Sequence, residues 1–253
     1  MQENNYILSI AGFDPSSGAG ITSDIKTFEA HGLYGLSVCT GVTVQNDIHF
    51  EDSHWIPDDI ILAQIEVLFQ RFQIDVVKIG MIENWETLLQ IILRLKTLNS
   101  TVKIILDPIL KSSSGFKLHT EEQNDVFNKV LEEIYLLTPN YEEIKALFPE
   151  KSIEQTIEHI SSKTLLYLKG GHREDKKGCD EIYSKDGVQL SIEAGDIEVY
   201  PKHGSGCVLS SSIASNLALA YTIEDASLRS KKYTERFLNS SQSLLGTHLH
   251  VNS

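Results

Sequence analysis

Between residues 6 and 171, short apolar runs alternate with amphipathic stretches of helical period, and this pattern restricts the fold more than any other feature of the chain. The strand-like runs are YILSIAG (6–12), LSVCTGVTVQ (36–45), DVVKIG (75–80), VKIILDP (102–108), YLLTPN (135–140) and TLLYLKGG (164–171). Helices are predicted between them: 21–31, where Ile21, Ile25 and Phe28 recur at helical spacing, then 57–72, 85–98, 121–134, 140–148 and 152–162. Pro57 is read as a first-turn proline, where its missing N–H is harmless. Strands this apolar, each followed by a helix, predict a mostly parallel sheet covered on both faces. After residue 171 the pattern changes. EIYS, VQLSIEA and DIEVY read as short strands, the first two joined through Asp-Gly as a late β-hairpin. Two helices, 207–220 and 223–245, close the chain. No repeat, low-complexity tract or linker interrupts it, so one domain over 1–253 is expected, with LLGTHLHVNS fraying at the end.

Composition narrows the function classes. The chain has 253 residues and is 41% hydrophobic, enough for a sizeable core. Its 22 basic residues against 35 acidic ones give a net charge of −13, which argues against an extended nucleic-acid surface. No basic amphipathic stretch suits anionic lipid, and no apolar run approaches the roughly 18–20 residues of a membrane helix. Cys39, Cys179 and Cys207 are an odd set without metal-type spacing. That favours a reducing cytoplasm, and the start MQENNYILSIAG predicts no signal peptide.

In open α/β sheets, ligands bind beyond the carboxyl ends of the strands. There the chain places Gly12, Asp14 and SSGAG; Gln45 and Asn46; Gly80 and Met81; Asp107 and Pro108; Pro139 and Asn140; and Lys169, Gly170 and Gly171. Each alone also reads as turn chemistry; the weight lies in their joint placement on one edge. SSGAG is not a Walker A loop, because no Lys-Ser or Lys-Thr follows its last glycine. GAGITSD reads as a turn and helix entry that lets backbone approach a ligand, and Asp24 falls in the first helical turn, where the dipole favours a carboxylate. HGSGC (203–207) opens the penultimate helix. Its glycines let the backbone bend and present amides, and free N–H groups with a positive helix end suit an anion such as a phosphoryl group in transfer. Cys207 at that helix start is expected to have a lowered thiol pKa, and so to take a proton from a substrate hydroxyl or hold it in line. The competing reading is a small buried cysteine at a helix start.

Several stretches, in order and at spacing, resemble the hydroxymethylpyrimidine/phosphomethylpyrimidine kinase family of the ribokinase-like superfamily. They are SIAGFDPSSGAGITSDIKTFEAHGLYG, VTVQND, VKIGMI, ILDPILKSSSG, LLTPNYEEIKAL, LKGGH and HGSGCVLSSSIA. The resemblance implies a ribokinase-like three-layer α/β/α fold. It also implies ATP-dependent phosphorylation of 4-amino-5-hydroxymethyl-2-methylpyrimidine and then of its monophosphate, in thiamine biosynthesis. By position it makes Cys207, Lys169, Gly204 and Gly206 the catalytic set, with Cys207 where sugar kinases carry an aspartate. Gln45, Gly12, Asp24 and Met81 would line the pyrimidine site. Lys169, Asn140 and Ser205 would meet ATP, and Asp107 and Glu143 would help place Mg²⁺ through water. His172 would lie nearby. The superfamily suggests a homodimer. Two departures touch the substrate: Phe13 stands where the family commonly has a small polar residue, and the 107–115 loop DPILKSSSG lacks the commoner methionine. Pyridoxal or pyridoxine kinase is the nearest alternative activity. A sugar kinase and a non-catalytic binding protein are more distant ones.

Overall fold

Period-two burial along the strands divides the molecule into layers. In the computed structural model, which describes residues 5–110, 124–171, 173 and 176–251, the chain runs β1 (Tyr6–Phe13), α1 (Gly20–Ala30), β2 (Tyr34–Gln45), β3 (Phe50–Trp55), α2 (Asp58–Arg71), β4 (Ile74–Ile79), α3 (Trp85–Leu98), β5 (Lys103–Leu106), α4 (Asn124–Glu133), β6 (Leu136–Leu137), α5 (Tyr141–Leu147), α6 (Ile153–Ser161), β7 (Leu165–Leu168), β8 (Asp180–Ser184), β9 (Gly187–Ile192), α7 (Ser205–Ala218) and α8 (Ile223–Asn239). Leu8, Ile10, Val77, Ile79, Ile104, Leu106, Leu137, Leu166 and Leu168 point to one face and pack against α2 to α6. The residues between them, Ile7, Val76, Ile105, Leu136 and Tyr167, point to the other face and pack against α1, α7 and α8. Full burial of each such side chain contributes about 1.5–3 kcal/mol, so a one-residue slip of any central strand would be costly.

The nine strands form one sheet in the order β3-β2-β1-β4-β5-β6-β7-β8-β9. The strands from β2 through β7 pair in parallel, while β3, β8 and β9 are antiparallel at the two edges. The expected hairpin is present, turning at Gly187 with φ 101°, a conformation that suits glycine.

The structure departs from the sequence reading in several places. FEDSHW forms β3, which its polar composition concealed. DIEVY, read as a strand, pairs with no strand. Pro57 stands outside α2 as its N-cap residue, with an extended ψ of 142°. The strand read at 135–140 shrinks to Leu136–Leu137, and α8 stops at Asn239 rather than 245. The tail read as fraying is anchored: His203 N–H donates to Leu244 O, Val251 N–H donates to Ala30 O, and the His248 ring packs 4.8 Å from that of Phe237. Residues 111–115 of the DPILKSSSG loop, and His172, lie outside the described residues.

Candidate active site

The face that meets α1 and α7 carries polar residues just beyond its apolar ones. Two residues after Ile7, Val76, Ile105, Leu136 and Tyr167 come Ser9, Lys78, Asp107, Thr138 and Lys169, all buried. Period two keeps each on the same face as its predecessor. They form a row across five adjacent strands that climbs toward the carboxyl edge, where Asn140 and Lys169 make a further parallel bridge.

At one end of the row Lys78 Nζ lies 2.9 Å from both carboxylate oxygens of Asp24 on α1, and neither side chain has exposed surface. Ser9 Oγ donates to Asp24 Oδ2 and Ser211 Oγ to Asp24 Oδ1, each at 2.6 Å. Burial alone would discharge Lys78, but the Asp24 carboxylate, with Cys207 and Asp107 near, holds its pKa above the ordinary lysine range. Asp24 therefore joins β1, α1, β4 and α7 and does not line open space, contrary to the role implied by resemblance. Lys78 went unassigned in the sequence, although a lysine inside the apolar run DVVKIG was its signal.

At the other end Lys169 Nζ donates to Asp107 Oδ1 at 2.7 Å and stands 3.8 Å from Glu143 Oε2. Thr138 and Ser210 hydroxyls donate to the two Asp107 oxygens. Burial opposes charge on Asp107, yet Lys169 and Lys78 hold its pKa down. Glu143 is pushed up to about 7, chiefly by burial. Its Oε2 also accepts the Asn140 N–H at 2.7 Å, while Asn140 Oδ1 accepts two amides of α5, closing a reciprocal cap.

Between these pairs sits the first turn of α7. Gly204, its N-cap, has φ 74°, and a Cβ there would lie 2.0 Å from Gly18 O. No side chain caps the helix, and its first backbone bond is Val208 N–H to Gly204 O. The amides of Ser205, Gly206 and Cys207 thus face outward on a partly exposed turn. A Cβ on Gly206 would stand 3.3 Å from Lys169 Nζ, so the turn and the cation adjoin.

Cys207 is 6% exposed, and the Gly20 amide at the start of α1 lies near its sulfur and favours the thiolate. Burial pushes the thiol up to about 11, against the pull of Lys78. This runs opposite to the lowered pKa expected for a helix start: desolvation, with the Asp24 and Asp107 carboxylates, outweighs the Lys78 charge, and the side chain is a thiol at neutral pH. Gly20 backs onto Gly12, whose carbonyl would lie 2.2 Å from a Cβ on Gly20, and the Met81 methyl covers Gly12. Gly12, Met81 and Cys207 are therefore contiguous. Gln45 ends β2 half-exposed, and its side-chain amide makes no hydrogen bond among the described residues. The SSGAG amides do not await a ligand. Those of Ser16, Gly18 and Ala19 donate to Asp14, which also lies 2.9 Å from His203 Nε2. This loop braces HGSGC from behind.

Among the described residues no three His, Cys, Asp or Glu side chains gather as a metal cage. Asp107 and Glu143 instead offer two carboxylates beside a cation, a set suited to Mg²⁺ that keeps water and phosphate ligands.

Known proteins resemble this chain over most of its length. The phosphomethylpyrimidine kinase family profile matches residues 14–252. A hydroxymethylpyrimidine/phosphomethylpyrimidine kinase of Aquifex aeolicus is 37% identical over 219 residues, covering 83% of this chain and 84% of that protein. One of Escherichia coli K12 is 33% identical over 216 residues, covering 82% and 80%. Among solved structures, a phosphomethylpyrimidine kinase from Clostridium difficile superposes with a TM-score of 0.75 at 33% identity, covering 90% of this chain and 97% of that one. A pyridoxal kinase from Staphylococcus aureus, solved with ADP, gives 0.84 at 21% identity over 98% and 95%, a likeness of fold alone. The expected ribokinase-like α/β/α fold is thus the observed one, and with the family profile matched over residues 14–252 and relatives 33–37% identical over most of its length, the chain belongs to the phosphomethylpyrimidine kinase family.

Proposed function

We propose that the chain transfers the γ-phosphoryl group of ATP to the hydroxymethyl oxygen of 4-amino-5-hydroxymethyl-2-methylpyrimidine, and then to the phosphate of its monophosphate, in thiamine biosynthesis. The observation that carries this reading is the uncapped turn 204–207, with a lysine on one side and a thiol next to Gly12 and Met81 on the other. An anion fits the amides, and an alcohol fits against the sulfur. Gln45 offers a donor and an acceptor to the aminopyrimidine edge.

In this reading the γ-phosphoryl group rests on the amides of Ser205, Gly206 and Cys207, with Lys169 beside it and Asn140 on the nucleotide side. The substrate hydroxyl attacks phosphorus as the bond to the ADP oxygen breaks, and its proton passes late to an oxygen of the phosphoryl group being transferred, as a loose transition state allows. A thiol at about 11 is protonated at neutral pH, so Cys207 holds the hydroxyl in line rather than removing its proton first. Asp107 and Glu143 would hold Mg²⁺ through water, and the ion would offset phosphate charge. Asp24 is assigned to the scaffold, not to substrate.

The three cysteines are unpaired, which suits a cytoplasmic enzyme, and among the described residues no helix is long and apolar enough to cross a membrane. A homodimer is the assembly this reading carries. Pyridoxal also presents a hydroxymethyl on a six-membered nitrogen ring and is the informative competitor. The test is ATP turnover with hydroxymethylpyrimidine, its monophosphate and pyridoxal, with products identified by mass. Product from both pyrimidines at kcat/KM well above that for pyridoxal is expected. Preference for pyridoxal, or no ATP consumption with any alcohol, would refute the reading.

A further inference from the structure

The run Ser210-Ser211-Ser212 places three hydroxyls in the middle of α7, all fully buried. Each is tied to a different side chain. Ser210 Oγ is 3.1 Å from Asp107 Oδ2 and equally 3.1 Å from Cys207 O. Ser211 Oγ donates to Asp24 Oδ1 at 2.6 Å. Ser212 Oγ lies 3.0 Å from His31 Nε2, while His31 Nδ1 lies 2.8 Å from Thr27 O. A carbonyl only accepts, so Nδ1 carries the proton and Nε2 accepts from Ser212.

Hydrogen bonds to carboxylates are short and strong. Successive helical residues point about 100° apart, so Ser210 and Ser211 grip two carboxylates on two sides of α7. Those carboxylates belong to the two buried ion pairs, Asp107–Lys169 and Asp24–Lys78. Ser211 is one turn beyond Cys207 on the same helix face, and Ser210 touches the Cys207 carbonyl. Rolling or sliding α7 would break one bond or the other. It would also move the 205–207 amides and the sulfur against Lys169. Ser212 holds the same helix to His31, whose ring also meets Thr27 and the Tyr233 ring, none of them at the site.

We infer that Ser210 and Ser211 are positioning residues for phosphoryl transfer, locking the anion-holding turn of α7 in register with the two lysine–aspartate pairs, whereas Ser212 serves stability alone. This rests on the kinase reading above. Misplacement by about 1 Å can cost on the order of a hundredfold in rate without loss of binding.

The test compares Ser210→Ala, Ser211→Ala and Ser212→Ala, each alone and combined with Cys207→Ala. kcat, both KM values and Tm are measured in the full-length chain, with assays well below each Tm. Ser210→Ala and Ser211→Ala are expected to lower kcat about tenfold or more, with both KM values changed less than about threefold. Ser212→Ala should lower Tm comparably and keep kcat within about threefold. In the Cys207→Ala background the two losses should shrink, because groups acting through one turn are not additive. If an alanine variant does not fold, the serine-to-cysteine variant, close in volume and a weaker donor, takes its place with the same criteria. The inference fails if Ser212→Ala loses as much kcat as the others, if the losses follow Tm across all three, or if they multiply fully with Cys207→Ala. Cys207→Ala with unchanged turnover would instead strike at the reading of the thiol, and the comparison among the three serines would still decide the role of Ser210 and Ser211.

Discussion

Lys78 and Asp24 illustrate how one residue can serve a site it does not face. Neither side chain has exposed surface, and Ser9 and Ser211 complete the carboxylate's partners. Removing one charge leaves the other buried and uncompensated, which costs roughly 3–5 kcal/mol. Urea unfolding of Lys78→Met should show a loss of that order, and Lys78→Met/Asp24→Asn should recover a large part of it. Equal losses in the single and double variants would mean that the pair does not act as a pair. Gln45 makes the opposite case. It is half-exposed at the end of β2, and Gln45→Ala should raise the pyrimidine KM and leave the ATP KM nearly unchanged in steady-state assays; the reverse pattern would remove it from the pyrimidine side. The sequence marked Asp107 and Lys169 by their place at strand ends, while the resemblance marked Asp24 and Glu143. It did not reveal that Asp24 is spent on Lys78, because that partnership spans 54 positions and depends on two elements packing on one sheet face.

At the scale of elements, close contact between the two glycine loops sets the geometry. Gly204 has φ 74°, and a Cβ on it would lie 2.0 Å from Gly18 O. Gly204→Ala should therefore displace the start of α7. Backbone strain of this kind costs about 1–3 kcal/mol, and the clash adds to it; thermal unfolding should show the loss, with turnover falling further than Tm alone accounts for. The tail gives a pH-dependent case. Burial first, then Lys26 and His31, hold His248 down at about 4, below the ordinary 6.5. The folded form keeps this ring neutral. Its contribution is complete above about pH 6.5 and is lost as the pH falls toward 4, because the unfolded chain takes up the proton first. Tm should drop over that window, and drop less in His248→Phe, which cannot titrate. The hairpin and the helix–strand alternation were legible because period and turn chemistry are local signals. β3 was not: FEDSHW lacks an apolar face and is a strand because β2 offers it a free edge. The docked tail escaped because Ala30, which receives its end, is far off in the chain, and the Phe237 contact forms only once the chain turns back on α8.

Across the whole molecule the active site lies where one face of the sheet turns from apolar to polar. Ile7, Val76, Ile105, Leu136 and Tyr167 bury the face against α1 and α7, and Ser9, Lys78, Asp107, Thr138 and Lys169 follow them one step nearer the carboxyl edge. The core and the site are thus one periodic pattern read at two levels, and stable packing also sets the charges. Of that row only Asp107 and Lys169 were marked in the sequence, by their place at strand ends; Ser9 and Lys78 lie inside apolar strands, and Thr138 reads as part of the run YLLTPN, so none of these three stood out. What could not be read was the surroundings of Cys207, where burial overrides the Lys78 charge and leaves a thiol. That balance defines the account: the sulfur positions an alcohol against a phosphate held by the amides of α7. The most direct measurement pairs the kcat of Cys207→Ala for hydroxymethylpyrimidine with its ATP affinity by calorimetry. The account predicts turnover reduced at least tenfold with ATP binding within about threefold of the original, in line with the loss of one aligned group; turnover close to that of the unaltered chain would contradict it.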